Sequence, residues 1–218
     1  MKLKGFTLAE VLITLAVIGV IAAVTIPVIS TRTDEAKFIT QLHKAQNTLI
    51  NTIKITALEN DNLPMKHWRA IADVTAAQDK TAALFNALSA NFIVKDDCSN
   101  LSNCLGATYA TLGRKLINND WKTNILCALT TDGITFCMLP DYSTVIVDVN
   151  GPQRPNAFGI DTFIFGPIDE ANNTINPKND LATCDKDATA QLYTTSGGCT
   201  EWVLEKGNMD YRRKTVSW

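Results

Sequence analysis

Six cysteines are the most reactive side chains of this 218-residue chain. A site that binds zinc or uses a thiol nucleophile needs thiolates near histidines or in closely spaced pairs. The sequence has no C-x-x-C pair, and its two histidines, His43 and His67, both lie well before the first cysteine. An even number of cysteines in an oxidising compartment favours disulfides instead. The disulfide candidates are Cys98, Cys104, Cys127, Cys137, Cys184 and Cys199.

The segment NILCALTTDGITFCML, residues 124–139, gives a geometric reason to pair two of them. Asp132-Gly133 between apolar runs is a strong hairpin signal. A three-residue loop with Gly133 in the left-handed region places Cys127 opposite Cys137, with Cα atoms ~4.5–5.5 Å apart, which suits a disulfide. A two-residue loop would move Cys127 one place out of register. The alternative is a pair of half-buried free thiols.

Local pairing is the connectivity that we prefer among the fifteen that six cysteines allow. Residues 97–104, DCSNLSNC, read as a turn-rich loop that a disulfide would close. The stretch 166–198 is rich in Asn, Asp, Thr, Gly and Pro and offers few core residues. Such a segment needs a covalent tie, and Cys184 with Cys199 would supply it.

Three oxygen-bearing side chains, Asp148, Asn150 and Asp161, flank a Gly/Pro-rich loop. Carboxylate and amide oxygens suit calcium better than zinc. The spacing of an EF-hand loop is missing, and Asp and Asn are also ordinary turn residues beside Gly and Pro. We expect structural turns here, with calcium as a weak alternative and no other cofactor.

Glu10 is the only ionisable side chain in the apolar run from Phe6 to Ile29. About 20 apolar residues span the hydrocarbon core of a bilayer, and this run is long for a secretory signal. The hydroxyls of Thr7, Thr14 and Thr25 can return to helix carbonyls. The run therefore predicts a single membrane-spanning helix that carries one unexplained acid.

Charges on either side of the run predict its orientation. Lys2 and Lys4 precede it, whereas Arg32 is followed at once by acidic residues. The positive-inside rule keeps the N-terminus in the cytoplasm and the rest of the chain outside. The formal net charge of −2 gives no basic surface for nucleic acid. The sequence has no GxSxG, HExxH or Cys/His constellation, so we expect no enzyme. An exported hydrolase tethered by the apolar run is one alternative.

The elements that position these residues follow the chain in order. An apolar stripe continues the first helix to ENDNLP at residues 59–64, and Pro27 favours a kink or local melting within it. The stripe consists of Ala36, Ile39, Leu42, Ala45, Leu49 and Ile53. Residues 68–93 suit one or two short helices. Four strand signals with short connections then predict an antiparallel meander, at 125–130, 134–139, 144–149 and 161–165.

Residues 4–10, KGFTLAE, followed by the apolar run, resemble the processing site of type IV pilins and type II secretion pseudopilins. The resemblance covers roughly the first 55 residues and includes Gly5, Phe6, Glu10 and Pro27. A weaker resemblance to pseudopilin-like proteins lies in DGITF and in residues 147–165. The resemblance to this family implies an α+β, ladle-shaped fold in which a long N-terminal helix packs on an antiparallel sheet.

The resemblance also implies how the N-terminus matures. A prepilin peptidase on the cytoplasmic side would cut between Gly5 and Phe6, and Phe6 would be N-methylated. In the family, the acid at the position of Glu10 is thought to pair with the terminal amine of a neighbouring subunit. We therefore expect Glu10 and Pro27 to act in assembly. The competing interpretation has Glu10 reaching the lipid headgroups or stabilising the helix N-terminus.

These features together predict four regions. They are a leader peptide at 1–5, a transmembrane and filament-core helix at 6–29, its amphipathic continuation at 30–60 and an exported globular domain at 61–218. The bacterial inner membrane would hold the precursor, and a periplasmic or cell-surface filament the assembled subunit.

The predicted function is a structural subunit of a type II secretion pseudopilus or a type IV pilus-like filament that supports protein secretion. Its partners would be the prepilin peptidase, like subunits, an inner-membrane assembly platform and the membrane, but not nucleic acid. A minor or competence pilin is one alternative. A single-pass anchored binding domain, which would be neither cut nor dependent on Glu10, is another.

Overall fold

A computed structural model describes residues 5, 7–141, 144–178, 184, 198–214 and 216, with the backbone alone at 27–31 and 77–78. The chain forms two compact units, Met1–Lys37 and Phe38–Trp218. The architecture is α+β, with a long N-terminal helix and an antiparallel sheet, as predicted.

Helix α1 (Leu8–Glu59) is 52 residues long and crosses from the first unit into the second. It continues through Pro27 without a break, so the predicted local melting is not observed. Its end is the predicted one: after Glu59 the chain turns, and Asp61 and Asn62 take left-handed conformations that a helix cannot continue.

Six strands form one antiparallel sheet in the order β1-β4-β5-β6-β7-β8. Their bounds are β1 (Val94–Asp96), β4 (Leu126–Thr130), β5 (Thr135–Met138), β6 (Val145–Asp148), β7 (Thr162–Asp169) and β8 (Thr174–Pro177). The four predicted strands are β4 to β7, and their meander is confirmed. Two further strands, β2 (Tyr109–Ala110) and β3 (Leu116–Ile117), form a separate pair.

The hairpin between β4 and β5 has the predicted register. Gly133 adopts φ +85°, and the Thr130 amide donates to the Ile134 carbonyl at 2.9 Å. Cys127 therefore faces Cys137 across the ladder. This register confirms the three-residue loop, residues 131–133. Glycine suits its last position because only a residue without a Cβ adopts such a φ at no steric cost.

One face of the sheet packs on the C-terminal half of α1 and on helix α2 (Ala77–Ser89). The buried apolar α1 residues are Phe38, Leu42, Ala45, Leu49, Ile53 and Ala57. Each fully buried large apolar side chain contributes about 1.5–3 kcal/mol. The predicted stripe is wrong only at its start, where Ala36 is exposed, Ile39 is half-buried and Phe38 packs instead.

The opposite face of the sheet is also covered. Tyr109, Trp121 and Phe158 pack against it from the segments that precede β4 and follow β6. Short 3-10 helices shape the connections, at Met65–His67, Leu101–Asn103, Asn119–Lys122 and Asp210–Arg212. Strands buried on both faces read as apolar runs rather than alternating patterns, which matches β5 and β6.

Of the one or two short helices predicted in residues 68–93, one α-helix forms, α2, while the stretch 68–73 makes turns. The strand predicted at 161–165 is longer, because β7 extends to Asp169, and within the described part of 166–198 the core includes Ile168 and Ile175. Helix α3 (Cys199–Lys206) then buries Trp202 and Val203.

Candidate processing and assembly site

Gly5 lies exposed just before α1. No described atom lies within 4 Å of the position that a Cβ on this residue would take. The fold around Gly5 therefore does not require a glycine, and any requirement for one comes from outside the chain. Phe6, the residue after the predicted cut, lies outside the described residues.

Thr7 and Glu10 close the N-terminus of α1 with reciprocal hydrogen bonds. The Thr7 amide and the Thr7 hydroxyl each donate to Glu10 Oε2 at 2.8 Å. The Glu10 amide approaches Thr7 Oγ1 at 3.3 Å, and the Val11 amide donates to the Thr7 carbonyl at 3.2 Å. This is a capping box, with Thr7 at the N-cap and Glu10 three residues later.

The sequence contained the signal for this motif. Thr7-Leu8-Ala9-Glu10 fits the S/T-x-x-E pattern that precedes an apolar run. Thr14 and Thr25 do return their hydroxyls to the helix carbonyls of Val11 and Ile21, both at 2.9 Å, as predicted. The prediction was wrong for Thr7, whose hydroxyl serves the cap instead.

The helix beyond the cap exposes an apolar surface all round. Residues Leu8–Ile26 are long and apolar enough to cross a membrane, and none of them is buried. At 1.5 Å per residue they extend about 28 Å, close to the thickness of a hydrocarbon core. Individual side chains are open to their surroundings, for example Leu8 at 77% and Val20 at 68% exposure. Such a surface needs lipid or other apolar helices around it.

Residues 1–26 match the family model of the prokaryotic N-terminal methylation motif. The chain carries the prepilin-type motif of type IV pilins and pseudopilins. No curated protein and no solved structure matches the chain. The match covers the capping box and the exposed apolar helix, so the geometry above belongs to the prepilin motif.

The prepilin motif has consequences for partners and location. It implies processing by a prepilin peptidase and assembly with other pilin subunits. The motif and the apolar helix together fit a membrane-anchored pilin, and the motif indicates a structural subunit. The α+β architecture with its long N-terminal helix fits a pilin-like fold.

Glu10 has room for a further partner beside its hydrogen bonds to Thr7. Both Thr7 donors bind the same oxygen, Oε2, and no described donor contacts Oε1. A carboxylate has about four acceptor positions, so the cap leaves capacity for a further cation. The local cap and an ion pair with an amine are therefore compatible.

The six cysteines form three bonds between neighbours in the sequence. They are Cys98–Cys104, Cys127–Cys137 and Cys184–Cys199, with Cα separations of 5.7, 4.1 and 4.9 Å. The third connects residue 184 to the first residue of α3. Each closes a short loop, which stabilises the fold by about 2–4 kcal/mol per bond.

The weak calcium candidates hold turns together by internal hydrogen bonds. Asp148 accepts the Tyr109 hydroxyl at 2.6 Å and the Asn150 amide at 3.2 Å. Asp161 accepts the amides of Asn156 and Ala157, both at 2.7 Å. The contacts with the amides of Asn150, Asn156 and Ala157 are the ones that turn formation predicts, and calcium binding stays a prediction.

Burial changes the acidity of both aspartates. It raises the pKa of Asp161 to about 6, against hydrogen bonds from Ala157 and Asn156 that lower it. Burial, and then the charge of Asp161, raises the pKa of Asp148 well above its usual range. Burial and the nearby Asp148 also raise the pKa of Tyr109. A protonated Asp148 can remain buried at little cost because protonation removes the desolvation penalty of the charged carboxylate and its repulsion from Asp161.

Sequence reasoning missed the polar cluster around these aspartates. The Tyr109 hydroxyl also accepts the Gly106 amide at 3.3 Å, and a Cβ at Gly106 would collide with the Asn156 side chain. The amine of Lys122 donates to the Gly106 carbonyl at 2.7 Å. No local pattern announces the contact of Tyr109 with Asp148, since these two residues lie 39 positions apart along the chain.

Proposed function

We propose that the chain is a structural subunit of a type II secretion pseudopilus or a type IV pilus-like filament. The prepilin peptidase cuts between Gly5 and Phe6, the new amine of Phe6 is methylated, and subunits assemble through α1. The observation that carries this proposal is the wholly exposed apolar surface of Leu8–Ile26, directly after the motif, with Glu10 as its one acid.

The charge of Glu10 gives a physical reason for subunits to assemble. An ionised residue in the middle of a bilayer costs roughly 2.5–3.5 kcal/mol on insertion scales. The Phe6 amine exists only after cleavage and carries the opposite charge. Pairing Glu10 of one subunit with the Phe6 amine of its neighbour removes both costs at once, and it fixes the register of subunit addition.

The capping box gives Glu10 a role before assembly as well. Thr7 holds the carboxylate beside the start of α1, where the positive end of the helix dipole stabilises it. In our proposal the carboxylate keeps this position and accepts the neighbour's amine on its other oxygen. Thr7 thus positions Glu10 for the incoming subunit.

Orientation follows from charge and is supported by the disulfides. Lys2 and Lys4 keep the N-terminus in the cytoplasm, and residues beyond the membrane helix face outward. Three disulfides beyond residue 97 suit an oxidising compartment. The subunit is anchored in the inner membrane and binds the assembly platform there. It is then added to a filament that supports protein secretion.

A matched pair of glycine variants tests the processing step. Gly5→Val places a branched side chain next to the cut, so the precursor stays uncut and migrates as the longer form in gel electrophoresis. Gly19→Val is the control, because its Cβ also meets nothing within 4 Å and it lies inside α1. Cleavage of Gly5→Val to the mature size would contradict the proposal.

A further inference from the structure

Helix α1 begins at Leu8, just after the bond that the proposed cut would break. That bond joins the Gly5 carbonyl to the Phe6 amide. Gly5 is exposed and belongs to no helix or strand. Because Gly5 is part of the leader, this arrangement is that of the precursor, which is the form that a peptidase acts on.

A helix that ran one turn further upstream would occupy the same carbonyl. In an α-helix each amide donates to the carbonyl four residues earlier. The Ala9 amide would then donate to the Gly5 carbonyl, and the Glu10 amide to the Phe6 carbonyl. Proteolysis within regular structure requires local opening, and its rate follows the population of the open form. An upstream extension of α1 would therefore protect the bond to be cut.

The leader sequence does little to prevent such an extension. Leu3 and Lys4 are good helix formers, and only Gly5 disfavours a helix there. The first four amides of a helix have no acceptor within it. In apolar surroundings each unsatisfied amide is costly, so a further turn upstream is a favourable way to supply acceptors. Something at the start of α1 has to oppose this tendency.

The capping box supplies two of these acceptors from side chains. The Thr7 amide donates to Glu10 Oε2 at 2.8 Å, and the Glu10 amide approaches Thr7 Oγ1 at 3.3 Å. The Thr7 hydroxyl donates to the same Oε2 at 2.8 Å and so holds the two side chains together. The Glu10 amide then has no need of the Phe6 carbonyl, and the helix can end at its cap.

We propose that the capping box stops α1 at Leu8 and keeps the Gly5 carbonyl free for the prepilin peptidase. Thr7 and Glu10 thereby act as positioning residues for the removal of the leader. This inference rests on the proposed cut between Gly5 and Phe6. Neither side chain has to touch the peptidase, because both act on the backbone of the precursor. The charge of Glu10 is not required, since a glutamine oxygen accepts the same hydrogen bonds.

The test measures how fast precursor variants are cut. Full-length precursor is purified in detergent from cells without a prepilin peptidase and is incubated with solubilised membranes that contain one. Thr7→Val removes both hydrogen bonds of the hydroxyl, whereas Thr7→Ser and Glu10→Gln keep a capping box. Loss of a cap changes the helix equilibrium about twofold to thirtyfold. KM of Thr7→Val should rise within this range at an unchanged maximal rate, because only the open form of the precursor binds.

A proline at the first helical position separates this effect from a direct contact with the peptidase. Proline has no amide that needs an acceptor, and it moves the residue before it out of the helical region. Adding Leu8→Pro to Thr7→Val should therefore restore the wild-type KM. Leu8→Ala in the same background is the matched control, since alanine favours the helix and should not restore it.

An independent readout is the carbon chemical shift of the Gly5 carbonyl, measured by NMR on the full chain in micelles. It should move toward the helical value in Thr7→Val and return when Leu8→Pro is added. The inference is overturned if Thr7→Val keeps the wild-type KM, if Leu8→Pro does not relieve its defect, or if the shift does not move. Failure of the proposed processing looks different, because the wild-type precursor itself would then stay uncut after Gly5.

Discussion

The two roles of Glu10, helix cap and charge partner, can be separated by substitution. Glu10→Gln keeps an amide oxygen that can accept the Thr7 donors, so it preserves the capping box and removes the charge. Thr7→Val has nearly the shape of threonine and removes the hydroxyl of the cap while keeping the Glu10 charge. Each variant thus affects one role and spares the other.

The magnitudes expected for the two variants differ. Loss of a capping interaction costs about 0.5–2 kcal/mol, which is roughly a twofold to thirtyfold change in an equilibrium constant. Loss of the Glu10 charge leaves the neighbour's amine unpaired in lipid at roughly 2.5–3.5 kcal/mol, or about 70-fold to 400-fold. Glu10→Gln should therefore assemble far less well than Thr7→Val. Glu10→Ala and Glu10→Val lose both roles and should assemble at least as poorly.

Assembly is measured as the ratio of sheared filaments to the membrane-bound pool, by immunoblotting of cells that carry the cognate machine. Cleavage and membrane insertion of each variant are checked on the same blots, since neither step requires the Glu10 charge in this account. Normal filament formation by Glu10→Gln would refute the charge pairing. A Thr7→Val defect as severe as that of Glu10→Gln would show that the cap, rather than the charge, dominates.

Two further predictions concern the buried aspartates. The pKa of Asp161 is raised from 3.8 to about 6, so the native state holds more protons than the unfolded chain between these values. The free energy of unfolding should fall by about 3 kcal/mol as pH rises through that window, and Asp161→Asn should flatten the slope in urea titrations; an unchanged slope would contradict the assignment. For calcium, we expect no change in melting temperature, because Asp148 and Asp161 are buried and internal hydrogen bonds already hold their carboxylates in place. A calcium-dependent rise that a chelator abolishes would reverse this expectation.

Local sequence signals predicted the parts of the fold that local physics determines. Asp132-Gly133 specified the hairpin, and with it the register that faces Cys127 with Cys137. The apolar stripe identified the α1 residues that pack on the sheet from Leu42 onward. In both cases neighbours in the sequence carry the information, as turn geometry and helical periodicity require.

Elements stabilised by distant contacts were missed. Strand β8 is four residues long, and of these only Ile175 is buried. Helix α3 has eight residues and little apolar periodicity, but Cys199 connects it covalently to Cys184. The helix also packs against β7, where the Thr200 hydroxyl accepts the Ile164 amide at 3.0 Å. Tertiary packing decides such short elements, and their sequences alone do not.

The candidate site also has features that local sequence reveals and features that depend on distant contacts. The spacing of Gly5, Phe6 and Glu10 belongs to a linear motif, so the sequence alone reveals it. The pattern of Thr7 to Glu10 also indicates the capping box, although the sequence analysis did not predict it. The burial of Asp148 beneath Tyr109 needed coordinates, because it depends on what the rest of the chain covers.

The most direct test of the central claim is the mass of the N-terminal peptide of the protein purified from membranes of a cell that has a prepilin peptidase. The account predicts a terminus at Phe6 that carries a single N-methyl group, and a terminus at Met1 when the peptidase is deleted. A chain that retains residues 1–5 in the presence of an active peptidase would contradict it.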